Sequence, residues 1–305
     1  MRIPEKAGGN RAMYEEAMMA ETCPCGSREC GNAAVQQMRR CRGCGLLAPV
    51  HRPDGRDLTE WYEKEYWKHY HEEQMGTGRD NLYRHALAWL NRWLPGRVTV
   101  LDIGCGGGRF LSFCQAKGWK AIGVEPSQEA AVYARRRGLD VHSQTWPVLD
   151  IADESVEVVT FINVLDHLPD PFGALREAAR VLKPGGLLYI RVVNAPLHAW
   201  VKRSLASVGL DQVAVLHLYG FGRRSLSRLL PRFGFMPIAV RAAPPAKGHP
   251  YDTDSTLLDW GYGLLKQADR SWYWVSRLLG LGRLGWGPSL EALARKAPVS
   301  TGARS

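Results

Sequence analysis

The chain has 305 residues, 45% of them hydrophobic and 23% charged, enough apolar material for one large core with one or two smaller attachments. No run approaches the roughly 18 to 20 apolar residues that spanning a bilayer requires, and the opening "MRIPEKAGGN" lacks the apolar centre of a secretory leader, so a cytoplasmic protein with reduced thiols is expected. The formal net charge of +10 favours anionic partners without choosing among nucleic acid, phosphorylated metabolites and an acidic membrane surface.

Residues 1–20 are polar and glycine-containing, an expected flexible end with one short helix at "AMYEEAMMA". Residues 21–60 hold five of the seven cysteines: Cys23, Cys25, Cys30, Cys41 and Cys44. In a reducing compartment such clustering points to a metal before a disulfide. A zinc site needs four thiolates or imidazoles in tetrahedral arrangement. "CRGC" at Cys41 and Cys44 is one knuckle, and "CPCG" at Cys23 and Cys25 is a knuckle one residue short. The expected ligands are therefore Cys23, Cys25, Cys41 and Cys44, with Cys30 as the substitute for Cys23. Such an ion would be structural, folding a segment too small to hold itself.

Residues 61–97 read as a helical linker. In "NLYRHALAWLNRWL", Leu82, Ala86, Trp89, Leu90 and Trp93 recur at helical spacing, and Pro95 with Gly96 ends the pattern. Over 98–245, strand-like and helix-like segments alternate. "VTVLDI" is a strand, "RFLSFCQAKG" a helix closed by Gly118, and "KAIGVE" a strand. "SQEAAVYARRRG" is a helix capped by Ser127 and stopped at Gly138. "LDVHS" and "VEVVTFINVL" are strands. "DPFGALREAARVLKPGG" is a helix with Asp170 as cap and Pro171 at its first position, ending at Pro184 and Gly185. "LLYIRVV", the helix "RRSLSRLLPRFG" and the strand "FMPIAVRA" complete the series. Such alternation predicts an α/β, doubly wound parallel sheet.

Residues 246–287 break the rhythm as a helical insertion. Leu257, Gly261, Leu264, Leu265, Ala268, Trp272, Val275 and Leu279 form one apolar stripe, flanked by Lys266, Arg270, Arg277 and Arg283. It is either a lid or dimer surface packed on the protein, or a peripheral membrane contact through 255–283, with Trp272, Trp274 and Trp286 in the interface. Residues 288–305 hold a final strand, "SLEALARKA", and a tail. Nothing in the sequence sets the oligomeric state.

The chemistry centres on "VLDIGCGGGRF", with Asp102, Gly104, Gly106 and Gly108 between a strand and a helix. Glycines there admit positive φ and close approach of a ligand to the backbone, and the helix offers free N–H groups. The dinucleotide fingerprint would need glycine or alanine where Arg109 stands. The segment, with "GVEPS", "DESVEVVTFINVLDHLPDP", "REAARVLKPGGLLYI" and "HLYGFGRRSLSRLLPRFGF", resembles the class I S-adenosylmethionine (SAM)-dependent methyltransferases. The resemblance implies a Rossmann-like seven-stranded sheet and SAM bound by Asp102, Gly104, Cys105, Gly106, Gly108, Glu125, Pro126, Thr145, Trp146 and Asn163. In that family an acid at the position of Glu125 takes both ribose hydroxyls. Thr145 stands where the family often has an acid beside the adenine.

The resemblance places His167 as general base or acceptor contact, and His217 and Tyr219 beside the acceptor. Asp166 is similar to an acid that some quinone methyltransferases use for a divalent cation. The cysteine segment and "PDGRDLTEWYEKEYW" resemble the N-terminal zinc ribbon and linker carried by a subset of these enzymes. The expected acceptor is a small molecule or a glycan- or lipid-linked group. The alternatives are an RNA methyltransferase with a zinc module, for which no base-stacking motif is found, and a non-enzymatic SAM- or zinc-binding protein, which the intact loop and Glu125 oppose.

Overall fold

A computed structural model describes residues 22–33, 38–50, 76–94, 96–146, 151–205, 217–246, 270–276 and 285–298, with single positions between 60 and 71 and at 267, 278 and 279. The expected helix at "AMYEEAMMA", the linker sequence at 53–67 apart from a few positions, and most of the 255–283 stripe lie outside the described residues.

Three short strands, β1 (Cys30–Asn32), β2 (Met38–Cys41) and β3 (Leu47–Pro49), form an antiparallel sheet around the cysteines. Helix α1 (Asp80–Asn91) follows. The main sheet is built from β4 (Thr99–Ile103), β5 (Lys120–Glu125), β6 (Asp140–Ser143), β7 (Val156–Ile162), β8 (Leu182–Val193), β9 (Phe235–Ala242) and β10 (Ser289–Lys296). Its seven strands run in the order β6-β5-β4-β7-β8-β10-β9. The pairs from β6 to β8 are parallel, and β10 is antiparallel to both neighbours. The chain order reverses beside β4, and in such sheets the crevice beyond the carboxyl ends at that point takes the ligand.

Connecting helices cover both faces: α2 (Arg109–Ala116), α3 (Gln128–Arg136), α4 (Pro171–Val181), α5 (Ala195–Leu205) and α6 (Arg223–Leu229). Alternation along the strands sends Leu101, Ile103, Val159, Phe161 and Ile190 to one face, under α4 and α6. Val100, Val158, Leu187 and Tyr189 go to the other, under α1, α2 and α3. Burying each such side chain stabilises the fold by about 1.5–3 kcal/mol.

The caps fall where the residue types place them. Ser127 accepts from the Ala130 N–H and Asp170 from the Gly173 N–H, satisfying donors that a helix start leaves open. Gly118 and Gly138 have φ of +84° and +76° just past their helices. Two expectations need correction. The helix from Pro171 does not run to Pro184 and Gly185: Leu182 is already extended, at φ −70° and ψ 135°, and pairs with Val156 as the first residue of β8. Helix α5, over "APLHAWVKRSL", was not expected at all.

The cysteine sheet is part of the main core. Cys23, Cys41, Cys44, Leu46 and Ala48 share one buried cluster with Phe221, Leu226, Leu229 and Leu230. Leu47 of β3 forms an isolated antiparallel bridge with Gly220, donating at 2.9 Å and accepting at 2.8 Å.

Candidate functional site

The glycine loop sits at the carboxyl end of β4. Gly104, Gly106 and Gly108 have φ of +69°, +53° and +76°, which glycine alone adopts without strain. The Gly104 and Cys105 N–H groups donate to the Val124 carbonyl at 2.8 and 3.2 Å, pinning the loop to β5. A Cβ on Gly123 would stand 2.5 Å from the Cys105 Sγ, so that contact also depends on a glycine. Arg109, which breaks the dinucleotide fingerprint, opens α2 with a bidentate ion pair to buried Asp80 at 2.9 and 2.8 Å. It thereby ties the loop's helix to α1.

Two buried carboxyls face this loop. Asp102 Oδ1 accepts from the Thr160 hydroxyl at 2.5 Å. Glu125 accepts from the Gly106 N–H at 2.8 Å and the Ser127 N–H at 3.0 Å. A carboxylate offers about four lone-pair directions, so Glu125 keeps acceptor capacity for a diol. Burial raises both carboxyls to about 7; the Thr160 hydroxyl opposes this at Asp102 and the two backbone N–H groups oppose it at Glu125. Glu125 adds its own charge to the rise at Asp102. Two acids held against ionisation this way favour a ligand that brings positive charge, and SAM's ammonium and sulfonium fit that chemistry.

Pro126 and Thr145 are half-buried beyond β5 and β6, and the Trp146 indole is buried, donating to the Ala174 carbonyl at 3.3 Å. Asn163, just past β7, has φ +58°; its N–H donates to the Arg191 carbonyl at 2.8 Å. Its side-chain oxygen accepts from the buried Arg191 guanidinium, which also reaches Pro244 O and Ser289 Oγ. Arg191 thus fixes Asn163 and ties the ends of β7, β8 and β10 together.

Beyond β7, a short 3-10 turn over Leu165–His167 carries Asp166 and His167. His217 Nδ1 lies 2.8 Å from Asp166 Oδ2, and the rings of His167 and His217 overlap with centroids 3.7 Å apart. Burial tends to raise the Asp166 carboxyl, but the charge and hydrogen bond of His217 outweigh it and hold it below its ordinary range. Its other oxygen, Oδ1, is buried without a hydrogen-bond partner among the described residues. Burial and the neighbouring His217 charge push His167 down to about 3, so its ring is neutral at physiological pH. His217, expected beside the acceptor, thus stands against both Asp166 and the expected base His167. The ligand atoms of Asp166, His167 and His217 lie within 4.8 Å of one another, a grouping that could also share a cation.

In the cysteine sheet the Sγ atoms of Cys23, Cys25, Cys41 and Cys44 also lie within 4.8 Å of one another. Cys23 and Cys44 are 3.7 Å apart, and Cys25 and Cys41 are 3.6 Å apart. Those edges match a tetrahedron with sulfur about 2.3 Å from a central zinc. The one-residue-short knuckle still delivers two thiols. Cys30 opens β1 at the margin of the group and is not among the four.

Of the insertion, the helical turns at 270–276 bury Tyr273 and Ser276, while Trp272, Val275 and Leu279 of the apolar stripe are exposed. Trp274 and Trp286 are 61% and 58% exposed, and Trp272 packs loosely on Trp286 at 6.5 Å. Trp272, Val275 and Leu279 are the members of the apolar stripe that fall among the described residues. No helix among the described residues is long and apolar enough to cross a membrane.

Residues 66–240 match the profile of a family described as methyltransferase domain. Over 126 residues the chain is 36% identical to a protein of Xanthomonas oryzae pv. oryzae named ubiquinone biosynthesis O-methyltransferase, covering 39% of this chain and 52% of that one. The chain spans about half the length of the curated relatives it matches. Among solved structures it is similar to the 1,6-didemethyltoxoflavin-N1-methyltransferase of Burkholderia thailandensis, with TM-score 0.53, 17% identity, and coverage of 88% of this chain and 99% of that one. A SAM-dependent methyltransferase from Archaeoglobus fulgidus gives TM-score 0.50 at 18% identity, covering 76% and 100%. At those identities the likeness shows the fold.

Proposed function

We propose that this chain, which belongs to the methyltransferase-domain family and is a class I SAM-dependent methyltransferase, methylates an ionisable hydroxyl of a small-molecule acceptor, with His217 taking the proton. The observation that carries this reading is the pair of buried Asp166 and part-buried His217, 2.8 Å long, at the carboxyl edge of the sheet. An amine acceptor, once neutral, attacks unaided, whereas a hydroxyl gains from a base in reach. The name of the Xanthomonas relative, an O-methyltransferase, agrees with this choice.

When bound, SAM supplies a methyl group already activated by its sulfonium, and the carbon–sulfur electron pair leaves with sulfur. The chain's own residues do the rest. Asp102 and the Gly104–Gly108 loop, including Cys105, hold the amino-acid end; Glu125 and Pro126 hold the ribose; Thr145 and Trp146 flank the adenine; Asn163 closes the end of β7. Asp166 accepts from His217 Nδ1–H, which leaves Nε2 as the acceptor of the hydroxyl proton and stabilises the imidazolium that forms. His167, neutral, lies against His217 with ring centroids 3.7 Å apart. Replacing His217 by Gln is expected to lower kcat by about 10²–10⁴ while SAM affinity is kept. Labelled SAM offered with phenols, extracted lipids and bulk RNA would test it. Transfer to phenols unaffected by the substitution, or label entering RNA alone, would overturn it.

We also propose one structural zinc on Cys23, Cys25, Cys41 and Cys44, supported by the sulfur separations. A third part of the reading is peripheral contact with anionic lipid through the exposed tryptophans at 272, 274 and 286, supported by the net charge of +10.

A further inference from the structure

We propose that the cysteine module is a positioning part of the acceptor site: the backbone bridge between Leu47 and Gly220 sets where His217 stands against Asp166. The inference rests on reading His217 as the base.

Residues 217–222 form no helix or strand of their own, so their course depends on what they are tied to. His217 is tied through its ring to Asp166, and the Tyr219 N–H donates to the Asp166 carbonyl at 3.0 Å. The Phe221 carbonyl accepts from the Ala195 N–H at 3.0 Å. Between them Gly220 exchanges two hydrogen bonds with Leu47, at 2.9 and 2.8 Å. Three of these anchors belong to the methyltransferase sheet and its connections, and one belongs to the cysteine module.

The bridge is close because Gly220 has no side chain. A Cβ there would stand 2.8 Å from the Leu47 Cβ and 2.7 Å from the Ala195 Cβ, closer than carbon atoms approach. Leu47 points its N–H and C=O at Gly220 because its pairing with Arg40 on β2 leaves both groups facing outward. The module is held to the core as well. Arg232 donates to the Cys25 carbonyl at 3.3 Å, and Arg228 donates to the Gly43 carbonyl. Each arginine grips the turn of one cysteine knuckle, where four thiolates around a divalent zinc would leave net negative charge. A rigid module thus meets the acceptor side three residues from the proposed base, and a base misplaced by about 1 Å can lose on the order of 10²-fold in rate.

The test is Gly220→Ala in the full chain, with histidine labelled by nitrogen-15. The expected result is zinc content unchanged and SAM affinity within about twofold, while the His217 Nδ1–H proton resonance is lost and kcat falls about tenfold or more with KM little changed. A folded variant that keeps the resonance overturns the proposal. If the variant does not fold, native-state hydrogen exchange on the unaltered chain decides: the Gly220 amide and the His217 ring N–H should open as one unit across low denaturant. Separate openings overturn it. Loss of the resonance with transfer unchanged would support the positioning role and sink only the base assignment.

Discussion

At the scale of single residues, Asp102 and Glu125 carry the clearest pH signature. Burial raises both to about 7, above the ordinary carboxylate range. A carboxyl raised this way contributes folding stability that is fully present below its unfolded value and is lost as pH climbs through about 7. A cationic ligand reverses the preference by favouring the ionised forms, so its binding should release protons below that pH. SAM affinity is expected to rise about tenfold or more between pH 6 and pH 8. Calorimetry in two buffers of different ionisation heat would show the released protons; affinity flat across that range would sink the assignment. Their positions were legible because Asp102 is the penultimate residue of β4, just before the glycine turn, and Glu125 is the last residue of β5. Thr160, Arg191 and Asp80 were not. Thr160 looks like any β-branched strand residue, Arg191 like a strand-edge charge, and Asp80 meets Arg109 only after 29 positions of intervening chain are folded. Their signal is tertiary, and periodicity does not carry it.

At the scale of elements, the caps and glycine stops were legible because they are local chemistry, satisfied within four residues. Helix α5 was hidden because Pro196 stands at its second position and its Trp200 is exposed, so no continuous apolar stripe announces it. The start of β8 was misread because Pro184 and Gly185 end helices more often than they begin strands. Of the insertion's stripe, Trp272, Val275 and Leu279 are among the described residues and are exposed, as are Trp274, Leu278 at 85% and Trp286. Apolar side chains displayed together on a cationic chain suit an anionic lipid surface. Vesicles of mixed neutral and anionic lipid should co-sediment the protein in a salt-sensitive way, and Trp274→Ser with Trp286→Ser should weaken that binding about tenfold or more. Equal sedimentation of both proteins, or of neither, would remove the lipid contact.

At the scale of the whole molecule, the question is whether the cysteine segment is an attachment or part of the fold. Three antiparallel strands of three or four residues cannot hold themselves, since hairpins that short are marginal in water. The cysteines instead share their buried cluster with α4, α6 and the central strands, and Leu47 and Gly220 join the two parts by backbone hydrogen bonds. A metal there would stabilise everything that melts with it, because binding to the folded state alone raises the stability of the entire cooperative unit. Protein purified without added metal should carry one zinc per chain. Stripping it with a chelator should lower a single calorimetric transition by on the order of 10 °C, the shift that about 3 kcal/mol produces in a domain of this size. Two separated transitions would mean the module melts alone, against a shared core. A zinc content near zero, with all five clustered thiols titratable in the native protein, would mean that no metal holds the four sulfurs and that packing alone sets their spacing.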